Sequence, residues 1–117
     1  METSQTQDLV EALRSFAAER DWDQYHCPKN LAAALSVEAG EVLEHFQWLN
    51  EQESLSLSDE ARDEIALELA DVFLYLLRLA DKLDIDLIKS AHRKLAINAQ
   101  KYPVERSRGS SKKYTEL

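Results

Sequence analysis

The chain has 117 residues, 44% of them hydrophobic, with 22 acidic and 14 basic residues and a formal net charge of −8. This length corresponds to one ordinary domain. Two glycines and two prolines are few, which disfavours turn-rich β architectures and favours long helices. Residues 101–117 hold five bases and two acids, so the first 100 residues carry a net −11. Such an acidic body excludes nucleic-acid binding by bulk attraction, and a phosphate ligand needs a cation to mediate its approach.

The cysteine content and the N-terminus bear on the class of protein. The single cysteine, Cys27, excludes an internal disulfide and a cysteine-based zinc cluster. The first residues lack the basic-then-apolar pattern of a secretion signal. Apolar runs in the sequence fall short of the ~18 residues that cross a bilayer. We therefore expect a soluble, cytoplasmic protein without a membrane partner.

Two helices are predicted in the first part of the chain. Apolar residues spaced three and four positions apart predict a first helix over residues 4–20. The segment 21–28 breaks this period, and Pro28 disfavours a helical conformation at Cys27, so a loop rich in aromatic residues follows. Asn30 is the predicted N-cap of a second helix that runs to about residue 50.

Two further helices are predicted after a polar connection over residues 51–57. Ser58 is a predicted N-cap, since two acidic residues follow it, and this third helix runs to about residue 83. Asp84 or Asp86 begins a fourth helix that ends near residue 103. Strand signals are lacking, so the sequence predicts an all-α, four-helix domain over residues 1–103. Residues 104–117 form a polar, basic tail that we expect to be flexible.

The second predicted helix carries acids where its period calls for apolar residues. Its apolar seam follows a four-three spacing and consists of Leu31, Leu35, Val42, His45 or Phe46, and Leu49. Glu38 lies within this seam, and Glu41 lies beside it, one turn later.

The third predicted helix is apolar on nearly every side. Almost every residue from 65 to 80 is apolar, and the exceptions share one stripe: Glu68, Asp71, Tyr75 and Arg78. A helix of this kind is buried on several sides. Three neighbouring helices of one small chain can hardly cover it, so we expect a homo-oligomer.

Both helices thus present paired carboxylates on faces suited to packing: Glu38, Glu41, Glu68 and Asp71. Burying an unpaired carboxylate costs several kcal/mol, and neighbouring like charges add to that cost. A divalent cation between the helices would offset it, with Mg²⁺ the first choice and Mn²⁺ the second for oxygen ligands. Iron is less suitable, because di-iron bundles use Glu-x-x-His pairs and Glu41 is followed by Glu44. The alternative is a solvated acidic stripe that borders a groove.

Aromatic and basic residues suggest where a nucleotide would bind. Trp22 and Tyr25 lie in the loop before the second helix, and Trp48 lies near the end of that helix. Their flat faces suit a nucleobase, although tryptophans in small domains are commonly core residues and periodicity does not separate the two. Lys94 and Asn98 share one face of the fourth helix, where they either hold phosphate oxygens or are ordinary surface residues.

The acidic pairs resemble a known motif. Glu38-Ala39-Gly40-Glu41 followed by Glu68-Leu69-Ala70-Asp71 resembles the paired acidic motifs of the all-α nucleoside triphosphate pyrophosphohydrolases, the MazG-like group. Val37 stands where the fuller motif has another glutamate, a departure shared with the dCTP pyrophosphatase branch. The similarity to this branch extends through residues 16–22, 46–48, 75–76, 86–87, 97–98, 102–103 and 110–117.

The resemblance implies a four-helix MazG-like bundle assembled as a dimer of dimers. It also implies Mg²⁺-dependent hydrolysis of dCTP, or of modified derivatives such as 5-methyl-dCTP, to the monophosphate and pyrophosphate for nucleotide-pool sanitation. The metal ligands implied are Glu38, Glu41, Glu68 and Asp71. A carboxylate would activate the attacking water, with Glu41 and Glu38 as the catalytic candidates and Glu41 preferred on proximity.

The resemblance further implies a substrate site. Around the base it places Trp22, His26 and Trp48. The loop that shapes this part of the site contains Asp23, Gln24 and Tyr25. Tyr75 would lie near the sugar and phosphate, and the phosphates would meet Lys94 and Asn98 from a neighbouring subunit, with Tyr102 beside them. Cys27 stands where the branch usually has a polar residue, which bears on base selectivity. Hydrolysis of dUTP or of a broad range of triphosphates is therefore an alternative, and a non-catalytic helical module is an alternative of another class.

Overall fold

The computed structural model describes residues 4–117, and residues 1–3 of the predicted domain lie outside the described part. Between residues 4 and 117 the regular secondary structure is entirely helical, which confirms the all-α prediction. The helices are α1 (Gln5–Glu19), α2 (Pro28–Glu44), α3 (Glu51–Leu55), α4 (Asp59–Lys82), α5 (Leu87–Lys101) and α6 (Val104–Ser107). Two short 3-10 helices lie at Asp23–Tyr25 and Tyr114–Glu116.

The beginnings of the helices follow their capping residues. Ser58 caps α4 as predicted, and of the two candidates for α5 it is Asp86 that accepts a hydrogen bond from the Lys89 backbone N–H. The prediction that Asn30 caps α2 is wrong, because the helix begins at Pro28, whose fixed φ suits a first helical position. Asn30 instead donates a hydrogen bond to the carbonyl oxygen of Tyr25.

The connection between α2 and α4 also differs from the prediction. The second helix ends at Glu44 rather than near residue 50, and turns follow over residues 45–48. Asn50 then caps the short helix α3, in which the side chains of Asn50 and Glu53 each accept a hydrogen bond from the other's backbone N–H. This capping box satisfies the exposed donors of a helical turn, so the segment predicted as a polar connection contains a helix.

The chain forms two compact units, which divide after Asp84. In the first unit α4 packs against α2 and α1. Helices α2 and α4 run antiparallel, since Arg78 near the end of α4 contacts His26 just before α2. The core contains Ala17, Leu31, Ile65, Leu77 and Ala80. Along α2 the predicted seam is buried at Leu31 and half-buried at Leu35 and Val42, which confirms the face that packs inward.

The first unit leaves much of α4 uncovered. Leu67 and Leu69 are 72% and 53% exposed, and Phe73 is also exposed. This helix therefore keeps an apolar surface within one chain, as its sequence predicted. None of the helices within residues 4–117 combines the length and apolar character needed to cross a membrane.

The second unit consists of α5, α6 and the end of the chain. The ring of Tyr114 lies edge-on to Tyr102 at a centroid distance of 6.1 Å, and Lys101 Nζ lies 4.8 Å from the Tyr114 ring centroid. The tail predicted to be flexible thus contains two helical segments, and its aromatic residue packs on the end of α5.

Candidate active site

Three of the predicted acids meet between α2 and α4. One carboxylate oxygen from each of Glu38, Glu41 and Glu68 lies within 4.8 Å of the other two, and all three residues are half-buried. Glu38 and Glu41 share a face of α2 because they are one turn apart. The antiparallel packing of α4 then places Glu68 opposite them. We call these three residues the carboxylate trio.

The trio is a cluster of like charges. A hydrogen bond between the carboxyls of Glu38 and Glu41 raises the pKa of Glu38 to about 7, and burial and the surrounding negative charges add to this rise. Burial raises the pKa of Glu68, as do Glu41 and Asp71, whereas the charge of His45 opposes the shift. Proximity therefore makes full ionisation of the trio unfavourable without a cation.

The trio also holds buried oxygens without partners. Glu38 Oε2 and Glu68 Oε2 are both buried and accept no hydrogen bond. Within residues 4–117 no lysine, arginine or histidine forms an ion pair with the three acids. Native proteins rarely leave buried carboxylate oxygens unpaired. The donor set is entirely oxygen and anionic, so it fits a hard divalent cation such as Mg²⁺.

Asp71 is placed differently from the other predicted metal ligands. It lies three residues after Glu68 on α4, outside the carboxylate trio, and it lines an adjacent cavity. Its charge still acts on the trio, because it raises the pKa of both Glu38 and Glu68. Asp71 is therefore close enough to the trio to act on it electrostatically, and it also lines the cavity.

The cavity lies between α1 and α4, beside the loop that joins α1 to α2. Its volume is about 340 Å³, which is within the range of small-molecule sites. Three residues predicted to bind substrate, Trp22, His26 and Tyr75, are brought together in its wall. The other lining residues are Leu9, Ala12, Leu13, Phe16, Ala17, Asp71, Leu74 and Arg78. The α1 residues in this wall were not predicted as site residues, because their spacing indicates only a packing face.

Aromatic packing shapes the loop side of the cavity. The ring of Trp22 lies edge-on to Phe16 at a centroid distance of 5.6 Å and edge-on to His26 at 6.3 Å. Edge-to-face geometry is favourable for aromatic pairs. Trp22 therefore contacts α1 and the loop together, and its ring remains partly exposed at the cavity.

Arg78 holds this loop to α4. It is only 5% exposed, its Nε donates a hydrogen bond to His26 Nδ1 at 3.2 Å, and its terminal nitrogens contact Asp23 and Asp81. Lys82 Nζ also contacts Asp23 Oδ1 at 3.2 Å, and Arg14 Nε donates to Asp81 Oδ2 at 2.9 Å. We call these contacts the Arg78 network.

The Arg78 network was not predicted, although Arg78 on an otherwise apolar helix was a visible signal. Hydrogen bonding to Lys82 lowers the pKa of Asp23, with further contributions from the charges of Lys82 and Arg78. Hydrogen bonding to Arg14 likewise lowers the pKa of Asp81. Burial and the neighbouring Arg78 lower the pKa of His26. The network is thus electrostatically satisfied, with His26 neutral.

The remaining predicted substrate residues lie elsewhere. Gln24 donates to the backbone and side chain of Asp21, whose φ of 54° makes the turn after α1, and the Tyr25 side chain is exposed. Trp48 is 86% exposed and lies outside the cavity. Lys94, Asn98 and Tyr102 belong to the second unit, where Lys94 and Asn98 lie one turn apart on α5.

Comparison with known proteins identifies the family. Residues 33–117 match the model of the MazG-like family. The chain is 43% identical over 113 residues to dCTP pyrophosphatase 1 of Rattus norvegicus and to dCTP pyrophosphatase 1 of Homo sapiens. Each alignment covers 95% of the chain and 66% of the relative. A pyrophosphatase from Archaeoglobus fulgidus superposes with a TM-score of 0.82 and 38% identity, covering 88% of this chain and 96% of that one. The chain therefore belongs to the MazG-like family.

Proposed function

We propose that this chain is a nucleoside triphosphate pyrophosphatase that hydrolyses dCTP, and modified dCTP such as 5-methyl-dCTP, to the monophosphate and pyrophosphate. The observation that carries the proposal is that α4 contributes neighbouring acids to both the cavity and the carboxylate trio. Asp71 lines the cavity of about 340 Å³, and one turn away Glu68 joins Glu38 and Glu41. A base in the cavity would thus have its phosphates directed toward the carboxylate trio. The relatives named dCTP pyrophosphatase 1 support the choice of base.

The carboxylate trio would hold Mg²⁺, with Mn²⁺ as a substitute and Asp71 as a further ligand. The bound ion would neutralise the triphosphate and polarise its phosphoryl oxygens. Glu41, with Glu38 beside it, orients the attacking water and accepts its proton as the water attacks the α-phosphorus. Pyrophosphate then leaves, and the reaction needs no covalent intermediate with the protein.

The cavity residues bind the nucleoside. Trp22 offers a ring for stacking, His26 a polar contact and Tyr75 a hydroxyl near the sugar and phosphate. Asp23, Gln24 and Tyr25 shape the loop through their contacts with Arg78, Asp21 and Asn30, and Trp48 belongs to the same base site when the assembly is complete.

A homotetramer, built as a dimer of dimers, would complete the site. Exposed Leu67, Leu69 and Phe73 on α4 support association, since a second copy would remove this apolar surface from water. A neighbouring subunit would supply Lys94 and Asn98 for the phosphates, with Tyr102 beside them. We propose that the assembly acts in the cytoplasm, in nucleotide-pool sanitation, without direct contact with nucleic acid or membrane.

Two alternatives remain distinct. Exposed Cys27 follows His26 directly, so the base site differs locally from the expected pattern, and dUTP or a broad range of triphosphates would then be the substrates. A non-catalytic helical module would bind nucleotide or oligomerise without turnover, but the presence of all four acids disfavours it.

The test measures pyrophosphate release from dCTP, 5-methyl-dCTP, dUTP and dATP, with and without Mg²⁺. Glu41→Gln keeps the shape of the side chain and removes its charge, while Glu64→Gln makes the same change at an exposed position of α4. We expect metal-dependent release from the cytosine nucleotides that is lost in Glu41→Gln and kept in Glu64→Gln. Equal release from every base would favour the broad-range alternative, and silence with all four nucleotides would leave only the non-catalytic module.

A further inference from the structure

The contact between Arg78 and His26 determines where the imidazole carries its proton. An arginine guanidinium stays protonated and has donors only, so its Nε cannot accept a hydrogen bond. Arg78 Nε lies 3.2 Å from His26 Nδ1, which must therefore be the acceptor. A neutral imidazole has one acceptor nitrogen and one donor nitrogen. The proton of His26 thus lies on Nε2.

The guanidinium is itself held in one orientation. Arg78 is almost completely buried, and its terminal nitrogens contact Asp23 and Asp81. Asp81 also accepts a hydrogen bond from Arg14, which anchors it from α1. Rotating the imidazole by half a turn would place a carbon against the Arg78 N–H, and protonating it would place two N–H donors against each other. Both arrangements lose the hydrogen bond, so one tautomer is favoured.

His26 is also one of the residues that line the cavity. The imidazole lies in the cavity wall with Trp22 and Tyr75. Because Nδ1 is engaged by Arg78, Nε2–H is the ring nitrogen left for hydrogen bonding. Histidine in general can offer either a donor or an acceptor, whereas this one is fixed as a donor.

We propose that Arg78 is a positioning residue that fixes His26 as a permanent Nε2–H donor in the cavity, and that this donor selects a pyrimidine whose N3 is an acceptor. Cytosine and 5-methylcytosine have an unprotonated N3, whereas uracil carries a proton on N3 and would oppose donor to donor. A buried donor without an acceptor loses its hydrogen bond to water and gains none in return. The choice of a nucleobase as ligand rests on the proposed function, while the tautomer does not.

The tautomer is tested on the unmodified protein by NMR. Long-range ¹H–¹⁵N correlation spectra distinguish protonated from unprotonated ring nitrogens, and His26→Phe assigns the signals among the three histidines of the chain. We expect an unprotonated Nδ1 and a protonated Nε2 at pH 7. Addition of saturating dCMP should move the Nε2–H proton downfield, and dUMP should not. An Nδ1–H tautomer, a doubly protonated ring or the same response to both nucleotides would overturn the proposal.

Selectivity is tested with a variant that keeps the charge of Arg78. Arg78→Lys retains a cation for Asp23 and Asp81 but removes the planar Nε donor, and Arg62→Lys is the matched exposed control on α4. We expect the preference for dCTP over dUTP, measured as kcat/KM, to fall about threefold to tenfold in Arg78→Lys, the range of one neutral hydrogen bond. The Nδ1 and Nε2 signals should at the same time show a mixture of tautomers.

The double variant shows whether Arg78 acts through His26. His26→Phe removes the donor, so adding Arg78→Lys to it should lower the dCTP preference no further. Additive losses would mean that Arg78 acts on the loop in general and would overturn the positioning role. If the wild-type protein hydrolyses no nucleotide, the proposed function fails, while the NMR experiment with dCMP still decides this proposal.

Discussion

Helix α4 carries two charged clusters that differ in whether their charges are paired within the chain. At its middle, Glu68 meets Glu38 and Glu41, and two of their buried oxygens have no hydrogen-bond partner. Ten residues later Arg78 has a partner for each part of its guanidinium. The first cluster contains anions alone, and the second alternates acids with bases.

This difference separates a ligand site from a structural support. A buried ionic group is tolerated when its partners lie in the same chain, as around Arg78. The carboxylate trio has no such partners among the described residues, so the fold retains a repulsion that a divalent cation would relieve. Asp71 acts on the trio and lines the cavity, and the Arg78 network holds the loop that contributes Trp22 and His26 to the cavity wall. One cluster is thus expected to bind metal while the other positions residues that line the cavity.

The largest effect is expected for a substitution in the carboxylate trio, which should change activity and stability in opposite directions. Glu68→Gln should lower metal-dependent pyrophosphate release by about a hundredfold or more, because metal stabilisation of charge is worth several kcal/mol. The same change should raise the free energy of unfolding without metal, since it removes one of three neighbouring negative charges. Activity assays and urea unfolding in a chelator measure the two effects.

Glu64→Gln is the control for this pair of measurements, because it removes an exposed charge from the same helix. It should leave both quantities nearly unchanged. A Glu68→Gln protein that loses activity and stability together would show that the trio supports the fold rather than opposing it.

In the Arg78 network, removing an acidic side chain should instead lower the free energy of unfolding. Asp81→Ala leaves buried Arg78 without one partner and removes the acceptor of Arg14. Breaking a buried ion pair from one side costs about 3 kcal/mol or more, so we expect a loss of that size in the free energy of unfolding. Urea unfolding monitored by circular dichroism measures it.

Asp63→Ala, at an exposed position on the same helix, provides the comparison for Asp81→Ala. Exposed charges contribute at most about 1 kcal/mol, so this variant should remain close to the wild type. Equal stability of the two variants would mean that the Arg78 network does not support the fold.

Local spacing accounts for the parts of this structure that the sequence predicted. The seam from Leu31 to Val42 and the pairing of Glu38 with Glu41 follow from the helical period alone. Ser58 was recognised as a cap because its hydroxyl satisfies a backbone donor three residues later. The approach of Glu68 followed from the expectation that both acidic faces pack against each other.

Features that depend on long-range packing were not predictable in this way. Arg78 meets His26 across 52 positions of sequence, and the geometry depends on a loop that turns at Asp21 with a positive φ. Asp71 shares a stripe with Glu68, yet it lines the cavity rather than joining the trio. The start of α2 was misplaced because Asn30 has good capping chemistry, whereas Pro28 determined the first turn.

A smaller effect is expected when Mg²⁺ is added to the protein. Mg²⁺ that binds only the folded protein should raise its stability, by about 2.7 kcal/mol at a hundredfold excess over the dissociation constant. Glu41→Gln should show little of this gain, whereas Asp81→Ala should keep it from a lower starting point. Thermal unfolding over a magnesium titration at pH 8 measures it, and equal gains in wild type and Glu41→Gln would place the ion elsewhere.

The smallest expected effect is the pH dependence of the metal-free protein between pH 8.5 and 7. The neighbouring carboxylates raise the pKa of Glu38 to about 7, so the folded state binds this proton more tightly than the unfolded state does. Stability should therefore increase as the pH falls through this window, because protonation removes the repulsion. Thermal unfolding in a chelator at several pH values measures the slope.

Two features distinguish the contribution of Glu38 to this slope from that of other titratable groups. Asp23 and Asp81 have pKa values below the ordinary range, so their contributions are lost only in acid. Burial and Arg78 lower the pKa of folded His26, so protonation of this imidazole does not contribute to a gain in stability as the pH falls. Glu38→Gln should flatten the slope, and saturating Mg²⁺ should flatten it as well, because it would keep the trio ionised throughout this window. An unchanged slope in Glu38→Gln would mean that the protonation linked to folding occurs at another group, and the contrast between the two clusters on α4 would no longer rest on repulsion among the acids.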